Sequence, residues 1–421
     1  MGFTSSDDLM TKLTLGQKYR LTLNKITNAG FALVAGRCYD LSTLAGTPTA
    51  MGYGEHLINS YAPTTPFNWT ANGTGYTLTA GVFAKVSGTA TTLSADSLNI
   101  QIISGRFYRV QYTISVWTSS NVNFTLGGAT GTARAAIGTY VEYITASSTA
   151  GFVLQASVNT GAFSVTNISV VEWGSATLST ASAFKPLTDA TTPAVYHGGN
   201  VSPSTKHLLS TGIMTTAATG VGQFYVVDLL GCYPYIDCGV ATTQTFVNTN
   251  TLPRYTSGAG VKAFMVSGGS GYANANSSVG AVAHNVSMVY TNQSGVGSRQ
   301  MPVTVACTAS AAIGHITHSG VAANNYFPLP LANNDNGVSS IQSVTLSTAP
   351  GAATYYHMVL YKELAMIPAP TANVYFERDF VNMMPSLEQL QDGAVLGLIY
   401  VAGGATGAST TFLGHIDVAW G

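Results

Sequence analysis

The side chains able to do chemistry are few and scattered. His315-Ile316-Thr317-His318 is the nearest approach to a metal-binding pattern. On a strand, positions three apart point to opposite faces, so the two imidazoles cannot share an ion without a turn. Nearby carboxylates are lacking too. Glycoside hydrolysis needs two carboxylates held across a sugar. Between residues 54 and 176 only Glu55, Asp96, Glu142 and Glu172 are available. Glu377-Arg378-Asp379 reads as an ion-paired surface or interface patch. The HExxH, GxSxG and Walker patterns are missing. The expectation is a protein that is not an enzyme, with no catalytic residue, no metal and no cofactor.

Composition narrows the class further. Only 8% of the 421 residues are Asp, Glu, Lys or Arg, against about a quarter in ordinary soluble proteins. Mean hydropathy is +0.24, yet no run approaches the roughly 18 apolar residues of a spanning helix. Solubility therefore rests on hydroxyls and amides, and little like-charge repulsion opposes dense packing against neighbours. The net charge is −1 and the 16 basic residues are dispersed. Phosphate recognition needs clustered Lys and Arg, so neither nucleic acid nor membrane insertion is expected. The opening Met1-Gly2-Phe3-Thr4-Ser5-Ser6-Asp7-Asp8 lacks a basic region and an apolar region, so no signal peptide is expected. Four cysteines without CxxC spacing point to free thiols in a reducing cytoplasm.

Hydrophobic periodicity places these groups on elements. Ser5 with Asp8 three residues on predicts a short helix over 6–13, with Leu9, Met10 and Leu13 as its apolar stripe. An irregular arm follows to 39–41. Residues 1–53 are too few for a core of their own, so the arm packs on the C-terminal part or on a neighbouring subunit. Period-two segments at 76–79, 82–86, 98–102, 107–114, 124–126, 140–144, 152–154 and 165–171 predict a β-sandwich over 54–176. A Ser/Thr/Ala-rich connector spans 177–191. Strands at 224–230, 262–266, 286–291, 355–361 and 395–401 make 192–421 a β-rich assembly body. Gly198 and Gly199 read as positive-φ positions. Arg254 reads as capping carbonyls or crossing a subunit boundary.

Two resemblances attach to these segments. Leu57-Ile58-Asn59, Trp69, Gly75-Tyr76-Thr77-Leu78, Gly105-Arg106-Phe107-Tyr108-Arg109-Val110 and the strand closing on Asn167-Ile168-Ser169-Val170 resemble the carbohydrate-binding-module-like jelly roll of phage head and tail proteins. Tyr39-Asp40-Leu41-Ser42, Tyr196-His197-Gly198-Gly199, Leu252-Pro253-Arg254-Tyr255 and the turns Asn334-Asp335-Asn336-Gly337 and Asp392-Gly393-Ala394 are similar to bacteriophage virion structural proteins.

The resemblance implies an all-β fold, with a jelly-roll β-sandwich inserted between an N-terminal arm and a larger C-terminal β-sandwich or barrel body. It implies a homo-oligomeric capsid-surface protein, a decoration or vertex component. Its partners would be copies of itself and the major capsid or tail proteins, in a virion assembled in the bacterial host cytoplasm. The alternative is a tail fibre or receptor-binding protein recognising host surface glycans. For that role the candidate rings are Trp117, beside the polar turn 118–121, and Tyr140. Trp69 and Tyr76 read as core rings.

Overall fold

In a computed structural model of the chain, the described residues are 3–27, 32–42, 46–47, 57–60, 69–71, 73–79, 82–95, 102, 107–174, 182–188, 197–216, 222–247, 251–267, 282–312, 314–320, 327–351, 355–381, 387–405 and 409–421. The chain divides into two compact units. One comprises Met1–Tyr53 with Ser182–Gly421, and the other is Gly54–Ala181. The fold is all-β, with one α-helix among the described residues.

That helix, Ser6–Thr14, starts where its cap dictates. Ser5 is extended and its Oγ accepts the Asp8 backbone N–H at 3.1 Å. The Asp8 carboxylate in return accepts the Thr4 backbone N–H at 3.0 Å, so one orphan donor of the first turn is capped and the chain entering the helix is held by the same residue. Leu9 is buried, and Phe3 and Leu13 pack beside it. Met10 departs from the expected stripe and stands 62% exposed.

The arm that follows is not irregular. Lys18–Thr27 is a strand lying antiparallel to the C-terminal strand Thr411–Trp420, from Lys18 opposite Ala419 to Ile26 opposite Thr411. Its inward positions are Leu21, Leu23, Lys25 and Thr27. Two polar residues on the buried side obscure the period of two, which explains why the sequence reads as an arm. The supposed connector also holds strand: Ser182–Ala183 pairs in parallel with Gln244–Val247, and Lys185–Pro186 pairs with Gly222–Asp237. Phe184 between them is buried.

Two long strands, Gly222–Asp237 and Tyr355–Ala369, run antiparallel through the centre of this unit. Cys38–Asp40, Leu396–Ala402 and Val261–Ser267 complete their sheet. Half of the sheet packs on a second sheet containing His284–Asn292 and Val338–Leu346. The core between them holds Tyr233, Met265, Met288, Tyr290, Ile341 and Met358. The other half packs on the sheet of Lys18–Thr27, Thr411–Trp420 and Lys206–Thr215, around Leu21, Ile213, Phe224, Ile367, Tyr400 and Phe412. Val227 and Leu229 alternate with Phe224 and Val226, so they face the other side of the sheet and enter a third cluster with Phe264, Val359 and Tyr361. The body is two sandwiches built on one shared sheet.

The unit Gly54–Ala181 is a sandwich of two antiparallel sheets. One runs Ala129–Thr130, Val122–Leu126, Phe152–Ala156, Thr92–Ala95, Trp69–Ala71 in spatial order. The other runs Gly138–Thr145, Phe107–Ser119, Ala162–Gly174, Val82–Lys85, Tyr76–Thr79, with Leu57–Ser60 also paired to Ala162–Gly174. Alternate residues Phe124, Leu126, Phe152, Leu154, Val110, Tyr112, Ile114 and Val165 are buried between the sheets, as a pleated strand with one dry face requires. Phe124 stacks on Phe152 with centroids 5.5 Å apart. Of the expected strand at 98–102, all but Ile102 lies outside the described residues.

Candidate functional site

The rings proposed for sugar stacking lie on one sheet but are not brought together. Tyr140 pairs with Tyr112 across neighbouring strands, and Trp117, further along the same strand as Tyr112, pairs with Phe163. Both Trp117 and Tyr140 are partly buried against the sandwich core. The Trp117 indole N–H donates to the Ser120 carbonyl at 2.7 Å, and the Tyr140 hydroxyl donates to the Ala136 carbonyl at 2.8 Å. The Arg134 guanidinium lies 4.8 Å from the Tyr140 ring centre and covers it. Tyr76 is partly buried, edge-on to Phe163, and the Trp69 side chain lies outside the described residues. The most exposed ring of this unit among the described residues is Tyr143, 50% exposed on the outer side of Gly138–Thr145. Sequence reading passed it over because its neighbours Tyr140 and Ile144 occupy the opposite phase of the same alternation.

Of the acids of this unit, only the Glu142 side chain is among the described residues, and it is engaged by its neighbours. Glu142 accepts the Thr132 backbone N–H at 2.7 Å and contacts Arg134 and the Tyr112 hydroxyl at 3.3 Å. Glu55 and Asp96 lie outside the described residues, as does the side chain of Glu172. In the body, Asp379 accepts the backbone N–H of Val381, and Arg378 donates to the Met366 carbonyl at 2.7 Å. These two are locally satisfied, whereas Glu377 turns elsewhere.

His315 and His318 are both buried but serve separate ends. His315 Nε2 contacts Ser319 Oγ at 3.3 Å, while His318 Nε2 accepts the Met265 backbone N–H at 3.2 Å. Burial, reinforced by the nearby Arg37 charge, lowers the His315 pKa to about 3, so its ring stays neutral. Gly198 and Gly199 adopt φ values of 87° and 76°. Their turn encloses the buried Lys206 ammonium, which donates to the His197 carbonyl at 2.8 Å and to the Gly199 carbonyl. Tyr196, the first residue of that motif, lies outside the described residues. Arg254 does cap carbonyls: those of Leu187 and Leu229, at 3.1 and 2.9 Å.

The one constellation of His, Cys, Asp or Glu side chains able to converge on an ion, among the described residues, is Glu377, His415 and Asp417. Strand register explains it. Glu377 and His415 both pair with Gly212, from opposite sides of the strand Lys206–Thr215. Gly212 has no side chain, and a Cβ there would collide with the Tyr375 ring. Tyr375 fills the gap and stacks on His415 at 5.7 Å with planes 7° apart, its hydroxyl bonded to His415 Nδ1. His415 Nε2 then faces Glu377 Oε1 at 3.5 Å, Asp417 Oδ2 at 3.7 Å and Ser210 Oγ at 3.4 Å. Arg20, opposite Asp417 in the register, chelates its carboxylate at 2.7 and 2.6 Å. The hydrogen bonds from Arg20 and Ser210 outweigh partial burial and hold the Asp417 pKa below the usual carboxylate range. Four strands, those of Arg20, Ser210, Glu377 and His415, and the loop residue Tyr375 make this cluster, which is why no linear motif announces it.

No family model matches this chain, and no curated protein does. Among solved structures, the N-terminal CBM22-1–CBM22-2 tandem domain of Paenibacillus barcinonensis Xyn10C aligns with 92% of this chain and 98% of its own, at 8% identity and a TM-score of 0.21. The infectious bursal disease virus VP2 subviral particle aligns over 96% of this chain and 80% of that one, at 13% identity and a TM-score of 0.14. An archaeal virus protein described by a triple jelly roll fold and turret assembly covers 84% and 91%, at 10% identity and a TM-score of 0.12. TM-scores of this size carry no argument, and the all-β assignment rests on the sheets themselves. Among the described residues no helix is long and apolar enough to cross a membrane.

Proposed function

We propose that the chain is a structural component of a bacteriophage virion, a homo-oligomeric capsid-surface protein of the decoration or vertex kind. The observation that supports it is the character of the surface. With Asp, Glu, Lys and Arg making up only 8% of the chain, charges on the surface are sparse, and large apolar side chains stand exposed. Met10 and Leu15, 62% and 70% exposed, flank the end of the N-terminal helix, whose other side already packs on the body. Charge repulsion that keeps monomers apart is nearly absent, and an apolar helix end is a surface that a second copy can cover. The chain acts by assembling rather than by catalysis. Copies of itself and the major capsid or tail proteins are its partners.

The test is the mass of the purified full chain in solution, together with its presence in purified particles. Oligomers and particle-borne protein are expected. A well-folded monomer that never accompanies particles would end this reading. Host-glycan recognition is a second reading, favoured by the solvent-exposed Tyr143 ring, since such rings stack on the apolar face of a sugar.

A further inference from the structure

We propose that Glu377, His415 and Asp417 form a binding site for a divalent transition-metal ion of the zinc class, joining two strands of the body across the one between them. One donor atom from each residue lies within 4.8 Å of the others. The separations from His415 Nε2, 3.5 Å to Glu377 and 3.7 Å to Asp417, are too long for good hydrogen bonds. They fall close to the edges of a tetrahedron with metal–ligand bonds of about 2.0–2.2 Å, roughly 3.3–3.5 Å. An imidazole with two carboxylates suits zinc, because calcium and magnesium prefer an all-oxygen shell.

The outer support expected of a metal-bound histidine is also present. Coordination through Nε2 places the ring proton on Nδ1, where the Tyr375 hydroxyl stands ready to accept it. Stacking on Tyr375 fixes the ring plane, and His415 is itself buried, at 8% side-chain exposure. Asp417 has two oxygens to share. Oδ1 keeps its bond from Arg20 Nε, and Oδ2 exchanges the Arg20 Nη2 contact for the ion. Arg20 is 62% exposed and free to withdraw. Arg20 is therefore a built-in competitor for Asp417 Oδ2.

An ion here would tie the four-residue strand Phe376–Asp379 to Thr411–Trp420 across the intervening Lys206–Thr215. That strand lies at the sheet edge, where opening costs least. The experiment is Zn²⁺ titration of the tag-free full chain by calorimetry, with hydrogen exchange of residues 375–381 as a second readout. The wild type is expected to bind one equivalent and to slow exchange in that segment. Glu377→Gln, at an exposed position, should bind about tenfold or more weakly, and His415→Gln likewise. Arg20→Gln should bind more tightly than wild type. The proposal is overturned if wild type takes up no Zn²⁺, if Glu377→Gln binds as wild type does, or if Arg20→Gln weakens binding.

Discussion

Arg254 and Asp228 form a two-pronged ion pair inside the body, with Nε to Oδ2 at 2.8 Å and Nη2 to Oδ1 at 2.7 Å, and side chains 5% and 0% exposed. Burial pushes the Asp228 carboxyl pKa up, and the guanidinium and the Val395 backbone N–H act against it. The pair joins three segments, since Arg254 also holds the Leu187 and Leu229 carbonyls. Arg254→Met would leave a buried carboxylate without its partner, a loss of about 3–5 kcal/mol. Pairing it with Asp228→Leu should recover much of that loss, because the uncompensated charge is gone. Denaturant unfolding of the two variants checks both statements.

Asp335 governs an acid-sensitive corner. It accepts from Arg299 at 2.8 Å, the Tyr290 hydroxyl at 2.6 Å and Asn292 at 2.8 Å. These bonds, the Arg299 one foremost, lower its pKa to about 2. The folded value lies below the unfolded one of about 3.9, so the unfolded chain binds more protons in that window. The stabilisation is complete above about pH 4 and is lost as pH falls towards 2. Asp335→Asn should be less stable at neutral pH and should show a flatter acid limb in unfolding midpoints between pH 2 and 5.

His315 adds a second slope at higher pH. Its ring is neutral when buried, with a pKa of about 3, against about 6.5 in the unfolded chain. Protons again favour the unfolded state, so stability should fall as pH drops from about 6.5 to 3. His315→Gln should remove that slope while leaving the Asp335 limb in place. Midpoints measured across the two windows separate the contributions.

The core of the Gly54–Ala181 sandwich depends on the Phe124–Phe152 stack. Phe124 is fully buried, with Gly131 lying directly against its ring. Phe124→Ala should cost about 3–5 kcal/mol by opening a cavity. Hydrogen exchange in the full chain should accelerate first in Val122–Leu126 and Phe152–Ala156.

The glycan reading distinguishes two kinds of ring. On a glycan array, Tyr143→Ala should lower any binding that wild type shows without altering stability. Trp117→Ala should chiefly lower stability, since its ring packs on the core and its N–H is bonded internally. Binding unchanged in both variants counts against recognition through either ring.

Much of the fold is legible in the sequence where alternation is clean. Tyr76–Thr79 appears with the bounds that its pattern predicts, and Val261–Ser267 and His284–Asn292 extend theirs by a residue or two. The failures have separate causes. Lys18–Thr27 buries Lys25 and Thr27, and polar residues facing inward look like an irregular arm. Ser182–Ala183 and Lys185–Pro186 are too short to show any period. The Glu377–His415–Asp417 cluster depends on register across Gly212, which only pairing in three dimensions sets. The exposure of Tyr143, and the enclosure of Trp117 and Tyr140, likewise depend on which face of a strand meets the second sheet.

Sedimentation velocity of the purified full chain at micromolar concentration is the most direct measurement. Species at multiples of the 43.6 kDa chain are expected, and Met10→Lys with Leu15→Lys should weaken their association by at least about tenfold, the equivalent of ~1.4 kcal/mol. A single folded 43.6 kDa species for wild type and variant alike would contradict a protein made to assemble.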